Sequence, residues 1–214
     1  MPLSNGMDRI YADHAATTPL DEDAYQAMQP YLCGEYGNPS SLHAFGRLPK
    51  KAIADARAVI AACIGAAPEE VVFTGGGTES DNWAIKGVAL KQSQQGRHVI
   101  TSAIEHHAVL RSFDFLEKLG FETTRLPVDC KGLVDRDVLQ NSLRQDTTLI
   151  SIMAANNEIG TLQDVAGLSP LAHAAGCLFH TDAVQVVGHL PVDVKALGCD
   201  FLSASAHKFN GPKG

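Results

Sequence analysis

Cys177–Lys208 reads CLFHTDAVQVVGHLPVDVKALGCDFLSASAHK, and it holds two short apolar runs, each followed by a polar cluster. Cys177–Thr181 leads into Asp182 and Gln185. Asp200–Ser203 leads into Ser205, His207 and Lys208. Short runs of this kind fit strands of a parallel sheet buried on both faces. Working outward, Val71–Thr74, His98–Ser102, Phe121–Leu126 and Thr148–Met153 read as further strands. Glu79–Lys91, Ala108–Leu119, Asp135–Leu143 and Asp164–Ala175 read as the helices between them. The last carries Leu168, Leu171, Ala172 and Ala175 at helical spacing, a one-sided apolar stripe. The alternation predicts an α/β fold with a mainly parallel sheet and helices on both faces. Ser41–Ile64 predicts a helix interrupted or started afresh near Pro49. No internal linker or repeat breaks the chain, so residues 1–65 read as a helical arm leading into a sheet domain over 66–214.

The 214 residues carry 17 Lys+Arg against 24 Asp+Glu, a formal net charge of −7. That balance gives no basic face for nonspecific nucleic-acid binding. No apolar run reaches the length of a membrane span, and the first residues have no charged-then-apolar leader pattern. The expectation is a cytoplasmic protein. Five scattered cysteines, Cys33, Cys63, Cys130, Cys177 and Cys199, have neither CxxC nor zinc-ligand spacing, so reduced thiols and no metal site are expected.

Ligands of open α/β sheets gather beyond the carboxyl ends of the strands, and the polar motifs fall there. Thr74-Gly75-Gly76-Gly77-Thr78-Glu79-Ser80 joins a strand to a helix. Its glycines allow a sharp turn, and the helix start offers N–H donors that suit a phosphate. It matches neither the P-loop nor the dinucleotide pattern, and a purely structural turn explains it as well. Glu105-His106-His107 follows a strand; one imidazole could stack on a flat ring, while an ordinary polar turn remains open. Asn156-Asn157-Glu158-Ile159-Gly160 offers amides at the sheet edge, and again a turn accounts for the composition. Asp182 is more informative. A carboxylate just past an apolar strand needs a partner, and a protonated pyridine nitrogen is a suitable one. Lys208, among small residues and beside His207, sits where partial desolvation and nearby positive charge make its amine a nucleophile toward an aldehyde.

Taken in order, these motifs resemble the cysteine desulfurases of the NifS/IscS group, class V aminotransferase-like enzymes of pyridoxal-phosphate (PLP) fold type I. The resemblance runs through Tyr11-Ala12-Asp13-His14-Ala15-Ala16-Thr17-Thr18-Pro19, Gly37-Asn38-Pro39-Ser40-Ser41, Gly77-Thr78-Glu79-Ser80-Asp81-Asn82, Glu105-His106-His107, Asn156–Thr161, His180–Gln185 and Ser205–Gly214. It implies that Lys208 carries pyridoxal 5'-phosphate as a Schiff base and moves a proton at the substrate Cα. It implies that Asp182 pairs with the ring nitrogen, that His106 stacks on the ring, and that Gln185 and Asn157 lie near the phenolic oxygen. Gly77, Thr78, Ser205 and His207 would hold the phosphate. Asn157 would also reach the substrate, and Ala15–Thr17 and Asn38–Ser41 would line the entrance. The implied reaction converts L-cysteine to L-alanine and leaves sulfur as an enzyme persulfide for iron–sulfur cluster assembly. Homodimerisation and a sulfur-acceptor or scaffold partner are implied with it.

The sequence departs from the group at four points. Gly75-Gly76-Gly77 replaces the usual Ser-Gly-Ala, Val184 replaces a small alanine, and Pro49 stands in a helical position. The fourth is length. The group's remaining large-domain strands, its C-terminal domain, a substrate-carboxylate arginine and the persulfide cysteine have no counterpart here, and none of the five cysteines matches that nucleophile. The expectation is a fragment: residues 1–65 an arm belonging partly to a small domain, 66–214 an incomplete cofactor-binding domain with an unpaired sheet edge. The rival expectations are a related PLP lyase, acting on selenocysteine or cysteine sulfinate, and a truncated PLP-binding paralogue without catalysis.

Overall fold

The apolar runs become the inner strands of one sheet. In the computed structural model, which describes residues 10–213, the strands are β1 (His98–Ser102), β2 (Glu122–Leu126), β3 (Thr147–Ser151), β4 (Leu178–Asp182) and β5 (Phe201–Ser203). All pair in parallel, in the order β2-β1-β3-β4-β5. The helices are α1 (Glu22–Cys33), α2 (Ala44–Ile64), α3 (Gly77–Lys91), α4 (His107–Lys118), α5 (Arg136–Ser142), α6 (Val165–Ala174) and α7 (Val194–Leu197). Residues 1–9 and Gly214, which entered the reading of the N-terminus and of the last motif, lie outside the described residues.

Adjacent strand residues point to opposite faces, so each strand feeds two cores. Val99 pairs with Leu149 on one face, where Ile85, Val88, Phe113 and Leu116 of α3 and α4 cover them. Ile100 pairs with Ile150 on the other, joined by Phe179 and covered by Leu139, Val165, Leu168 and Ala172 of α5 and α6. Burial on both faces is the reason the strands read as continuous apolar runs rather than alternating ones. After β1 the chain crosses to β2 on one side, then returns to place β3 on the other. The strand order therefore reverses between β1 and β3, which opens a crevice at their carboxyl ends.

Three expectations need correction. Val71–Thr74 is not a strand: Val71 is extended (φ −90°, ψ 124°), but the segment pairs with no strand among the described residues. Val72 and Thr74 share a recess of about 510 Å³ with Phe201, Leu202 and Ser203, so open space lies where a ladder would be needed. α2 is not broken at Pro49. The proline lies in its second turn and is buried, and the helix continues to Ile64. There it removes a single backbone bond, which the following Lys, Ala and Arg residues, all good helix formers, offset. The apolar stripe of α6 ends at Ala172; Ala175 is the exposed C-cap, and Val165 and Ser169 complete the buried face. Helix α1, capped by the Asp21 carboxylate, was not singled out within the arm.

The start of the chain is stapled to the end. Thr18 donates from its N–H and its hydroxyl to the His207 carbonyl (2.8 and 2.9 Å), and the Asn210 N–H donates to the Thr18 hydroxyl (2.7 Å). The Asp21 N–H closes the contact on the Asn210 carbonyl (2.9 Å). Asn210 occupies the left-handed region (φ 66°), a conformation asparagine tolerates better than most residues. The turn carrying Lys208 is thus held from both sides.

Candidate active site

At the carboxyl end of the sheet, five separate elements contribute to one cavity of about 220 Å³. Gly77, Thr78 and Asp81 come from α3, His106 from the N-cap of α4, Met153 and Asn157 from beyond β3. Asp182, Val184 and Gln185 follow β4; Ser205, His207 and Lys208 follow β5. Every cofactor-binding residue expected from the sequence lines this cavity, whereas the expected entrance segments Ala15–Thr17 and Asn38–Ser41 do not line it, the first reaching it through bonds to Lys208, Gln185 and His207. Asn38 lies exposed in the loop between α1 and α2, where its side chain accepts from the Ser40 N–H (2.9 Å).

The two ends of the cavity differ in charge. One end is a helix start. Gly76 caps α3 without a side chain (φ 139°), so the first N–H groups of α3 have no acceptor within the helix and face outward. Ser205 and His207 stand beside it, and a neighbouring recess adds Thr17 and the cationic Lys213. The His207 ring nitrogen Nδ1 bonds the Thr17 hydroxyl (3.0 Å). Burial and the Lys208 and Lys213 charges push its pKa down.

The other end is acidic and buried. Asp182 is 4% exposed, and its carboxylate accepts from the Val184 N–H (3.0 Å). Burial raises its pKa, against the pull of that bond and of His106 and Lys208. Asp81 is 1% exposed, and neither of its carboxyl oxygens has a hydrogen-bond partner. One donor atom each from Asp81, His106 and Asp182 lies within 4.8 Å of the others. His106 accepts the Ala108 N–H on Nδ1 (3.1 Å), which fixes the ring as a helix cap and leaves Nε2 for the cavity.

Between the two ends sits Lys208. Its amine donates to the carbonyls of Ala15 and Ala16 (2.5 and 2.9 Å), and the Gln185 amide donates to the same Ala15 carbonyl (3.0 Å). Burial lowers the Lys208 pKa, opposed by Asp182 and Asp13. Asn157 donates to Glu158 (2.8 Å) and borders the opening. The walls are braced from below. Glu105, fully enclosed, accepts from the Ser102 hydroxyl (2.5 Å) and the Met153 N–H, while Asn156 donates to the Ile104 carbonyl (2.8 Å). Burial pushes Glu105 up to about 8.

Residues 10–214 match the aminotransferase class-V domain family. The chain belongs to that family. Among its class-V relatives, cysteine desulfurase IscS of Dictyoglomus turgidum is 60% identical over 205 residues, covering 96% of this chain and 52% of the relative. Cysteine desulfurase IscS of Methanosarcina thermophila is 53% identical, with 96% and 51% covered. The chain therefore spans about half the length of the curated relatives it matches. Among solved structures, SspA in complex with cysteine superposes with a TM-score of 0.92 at 41% identity, covering 95% of this chain and 59% of that one. A NifS-like protein gives 0.94 at 40% identity, with 97% and 57% covered.

Class-V enzymes use pyridoxal phosphate, and the cavity fits that group on its own chemistry. An N–H cradle stands at one end for a phosphate, a buried acid at the other for a ring nitrogen, and a half-buried amine between them for an aldehyde. The two loop departures also meet in space. A Cβ built on Gly77 would lie 2.8 Å from Val184 Cγ2, so the larger residue after Asp182 leaves room only for glycine at the cradle.

Sequence reading gave no role to Asp81, Met153 or Lys213 and named no metal ligand. Asp81 was legible in a different frame. Gly77, Asp81, Ile85, Val88 and Ala89 form the buried stripe of α3, and Asp81 is the one charged residue in it.

Proposed function

We propose that the chain holds pyridoxal 5'-phosphate on Lys208 and contributes to a cysteine desulfurase. L-cysteine and an acceptor thiol would give L-alanine and a persulfide, one C–S bond breaking and one S–S bond forming. The carrying observation is the convergence of Asp182, Lys208, His106 and the α3 start on one cavity. Relatives that share the residues of this chain at 60% and 53% identity are named cysteine desulfurase, which supports the substrate assignment.

When bound, the cofactor supplies the electron sink of the reaction. The residues would divide the remaining work. Gly77, Thr78, Ser205 and His207 would hold the phosphate and so position the ring. Asp182 would pair with the ring nitrogen and hold its proton. His106, fixed by its cap bond, would stack on the ring, and Gln185 and Asn157 would lie near the phenolic oxygen. Lys208, with its pKa lowered by burial, gives up its proton more readily than a surface lysine and can carry one to or from the substrate Cα. Ala15–Thr17 is bonded to Lys208, Gln185 and His207 and so holds the amine in place.

No cysteine lines the cavity: Cys33, Cys63 and Cys130 are exposed elsewhere, Cys177 is buried, and Cys199 packs against the core. The sulfur-accepting thiolate must then come from another polypeptide segment, and the same observation favours the second reading, a cofactor-binding chain without catalysis of its own. Delivery of sulfur to an iron–sulfur scaffold, a cytoplasmic setting consistent with five unpaired thiols, and a homodimer covering exposed Leu32, Tyr36, Leu42 and Phe45 complete the proposal. No helix among the described residues is long and apolar enough to cross a membrane.

Alanine release separates these readings. The chain is loaded with cofactor and given L-cysteine and excess thiol, alone and with a polypeptide supplying the remaining length of the Dictyoglomus relative. Alanine from L-cysteine in the complemented sample is expected. Alanine only from selenocysteine or cysteine sulfinate would assign a sister lyase, and bound cofactor with no alanine would assign the non-catalytic chain.

A further inference from the structure

Asp81 is the residue that the cofactor assignment does not absorb. It projects from the buried stripe of α3 into the floor of the cavity, 1% exposed, with both carboxyl oxygens unpartnered. A carboxylate in that state is expensive unless a cation faces it. The titratable groups around it are Asp182, His180, His106, Glu105 and Lys208.

The nearest basic group is His180, with Nε2 3.6 Å from Asp81 Oδ1. It cannot serve as a cation. His180 is fully buried in β4, its Nδ1 is bonded to the Ser151 hydroxyl (2.8 Å) and its Nε2 to the Ser203 hydroxyl (3.0 Å). Burial pushes its pKa down to about 3, so it is neutral at any ordinary pH. Asp182 lies within 4.8 Å, and two buried carboxylates so close oppose each other's ionisation. The choice between them is set by their surroundings. Asp182 has the Val184 N–H, His106 and Lys208 to favour its charge, whereas Asp81 has only the Ser203 hydroxyl nearby, which is already bonded to His180 Nε2.

We propose that Asp81 is a protonated carboxylic acid at neutral pH and acts as a positioning residue, presenting an O–H toward Asp182 and leaving the pair's single negative charge on Asp182. The sequence singles out only Asp182; the structure makes it the ionised half of a two-acid floor. The charge assignment concerns the chain's own residues, while its consequence for the cofactor rests on the function proposed above. A neutral Asp81 would then hold the Asp182 carboxylate in line with the ring nitrogen without a competing charge beneath it.

The first test needs no cofactor, so its failure is distinct from failure of the functional reading. Carboxyl-labelled aspartate is followed by carbon NMR against pH in the 214-residue chain. One aspartate should keep its protonated shift through neutrality and titrate at about 8, pushed there by burial and then by Asp182. That signal should vanish in Asp81→Asn and titrate at lower pH in Asp182→Asn. If every aspartate is ionised below about pH 6, or the late signal survives in Asp81→Asn, the assignment is overturned. The second test reads cofactor affinity and visible absorbance. Asp81→Ala should weaken binding about tenfold, because the O–H aimed toward Asp182 is lost, and Asp81→Asn, a neutral donor of similar shape, should restore most of it. Asn behaving like Ala would mean that a carboxylate is required, and neither variant changing affinity or spectrum would remove the positioning role.

Discussion

His98 and His106 stand at opposite ends of β1 and are treated in opposite ways. His98, at the amino end, is fully buried and has both ring nitrogens bonded, to Thr147 (2.7 Å) and Thr124 (2.8 Å). His106, just past the carboxyl end, spends one nitrogen on a helix cap and leaves the other to a cavity. The contrast extends to the acids. At the amino end Arg144 ties Glu122 and Asp146 in exposed ion pairs, while at the carboxyl end Asp81 and Asp182 are buried beside each other. Structure satisfies its polar groups, and a binding site holds some of them open. Residue type alone does not distinguish the two; for these histidines and acids the unmet valence does, although the Thr101, Thr123 and Thr181 hydroxyls are also buried without a partner within the strands.

Breaking the open end should affect ligand more than fold. Asp182→Ala removes the charge facing the ring nitrogen, and cofactor affinity should fall at least about a hundredfold in an absorbance titration, the scale of one lost partner in a buried charged pair. The chain's own stability should hold or rise, because a buried acid has been removed. Breaking the closed end should do the reverse. His98→Ala leaves a void, removes the ring partner of the Thr124 hydroxyl and leaves the Thr147 hydroxyl with only the Arg144 N–H, costing about 2–4 kcal/mol in chemical denaturation, with cofactor affinity retained.

Gly77→Ala sharpens the contrast within the open end. Its new methyl meets Val184 Cγ2 at 2.8 Å, so cofactor binding should weaken by the equivalent of about 1–3 kcal/mol. Adding Val184→Ala should recover most of the loss, a coupling that independent sites would not show.

The pH dependence of the cofactor-free chain separates the ends once more. Asp81 and Glu105 have folded pKa values raised by burial to about 8, above their unfolded values. Their stabilising protonated forms are complete at low pH and are lost as pH rises toward 8. His98 and His180 are pushed down by burial, so their contribution is lost on the acid side, below the ordinary histidine value. Between about pH 6.5 and 8 the acids therefore dominate, and stability should fall by up to about 1.4 kcal/mol per pH unit for each. Asp81→Asn should flatten that slope. The smallest effect expected is at a helix start remote from the site: Asp135→Ala removes a cap accepted from Asp137 (2.7 Å) and Val138 (3.1 Å), costing about 1 kcal/mol and leaving the cavity untouched.

The sheet was legible because its strands are buried on both faces, and β1 falls on the expected residues, His98–Ser102. The same signal misled at Val71–Thr74, where a β-branched run has the composition of a strand but no ladder partner among the described residues. Composition reports what a segment prefers, and hydrogen bonding needs a neighbour. Pro49 misled in the other direction, since it removes only one backbone bond from a long helix that its other residues sustain. The members of the cavity were legible because His106, Asn157, Asp182, Gln185, Ser205, His207 and Lys208 follow strands, while Gly77 and Thr78 stand at a Gly-rich helix start. Asp81 escaped because it belongs to a helix face rather than to a strand end, and only the burial of that stripe shows that its carboxyl has nowhere to go.

The measurement that tests the central claim most directly is chemical trapping at Lys208. The chain is incubated with excess pyridoxal phosphate, reduced with borohydride and mapped by peptide mass spectrometry. A yellow protein, bleached by reduction with the adduct on the peptide containing Lys208 and absent from Lys208→Ala, is the expected result. A preparation that stays colourless with the complementary polypeptide present, or an adduct spread over surface lysines and unchanged in Lys208→Ala, would contradict it.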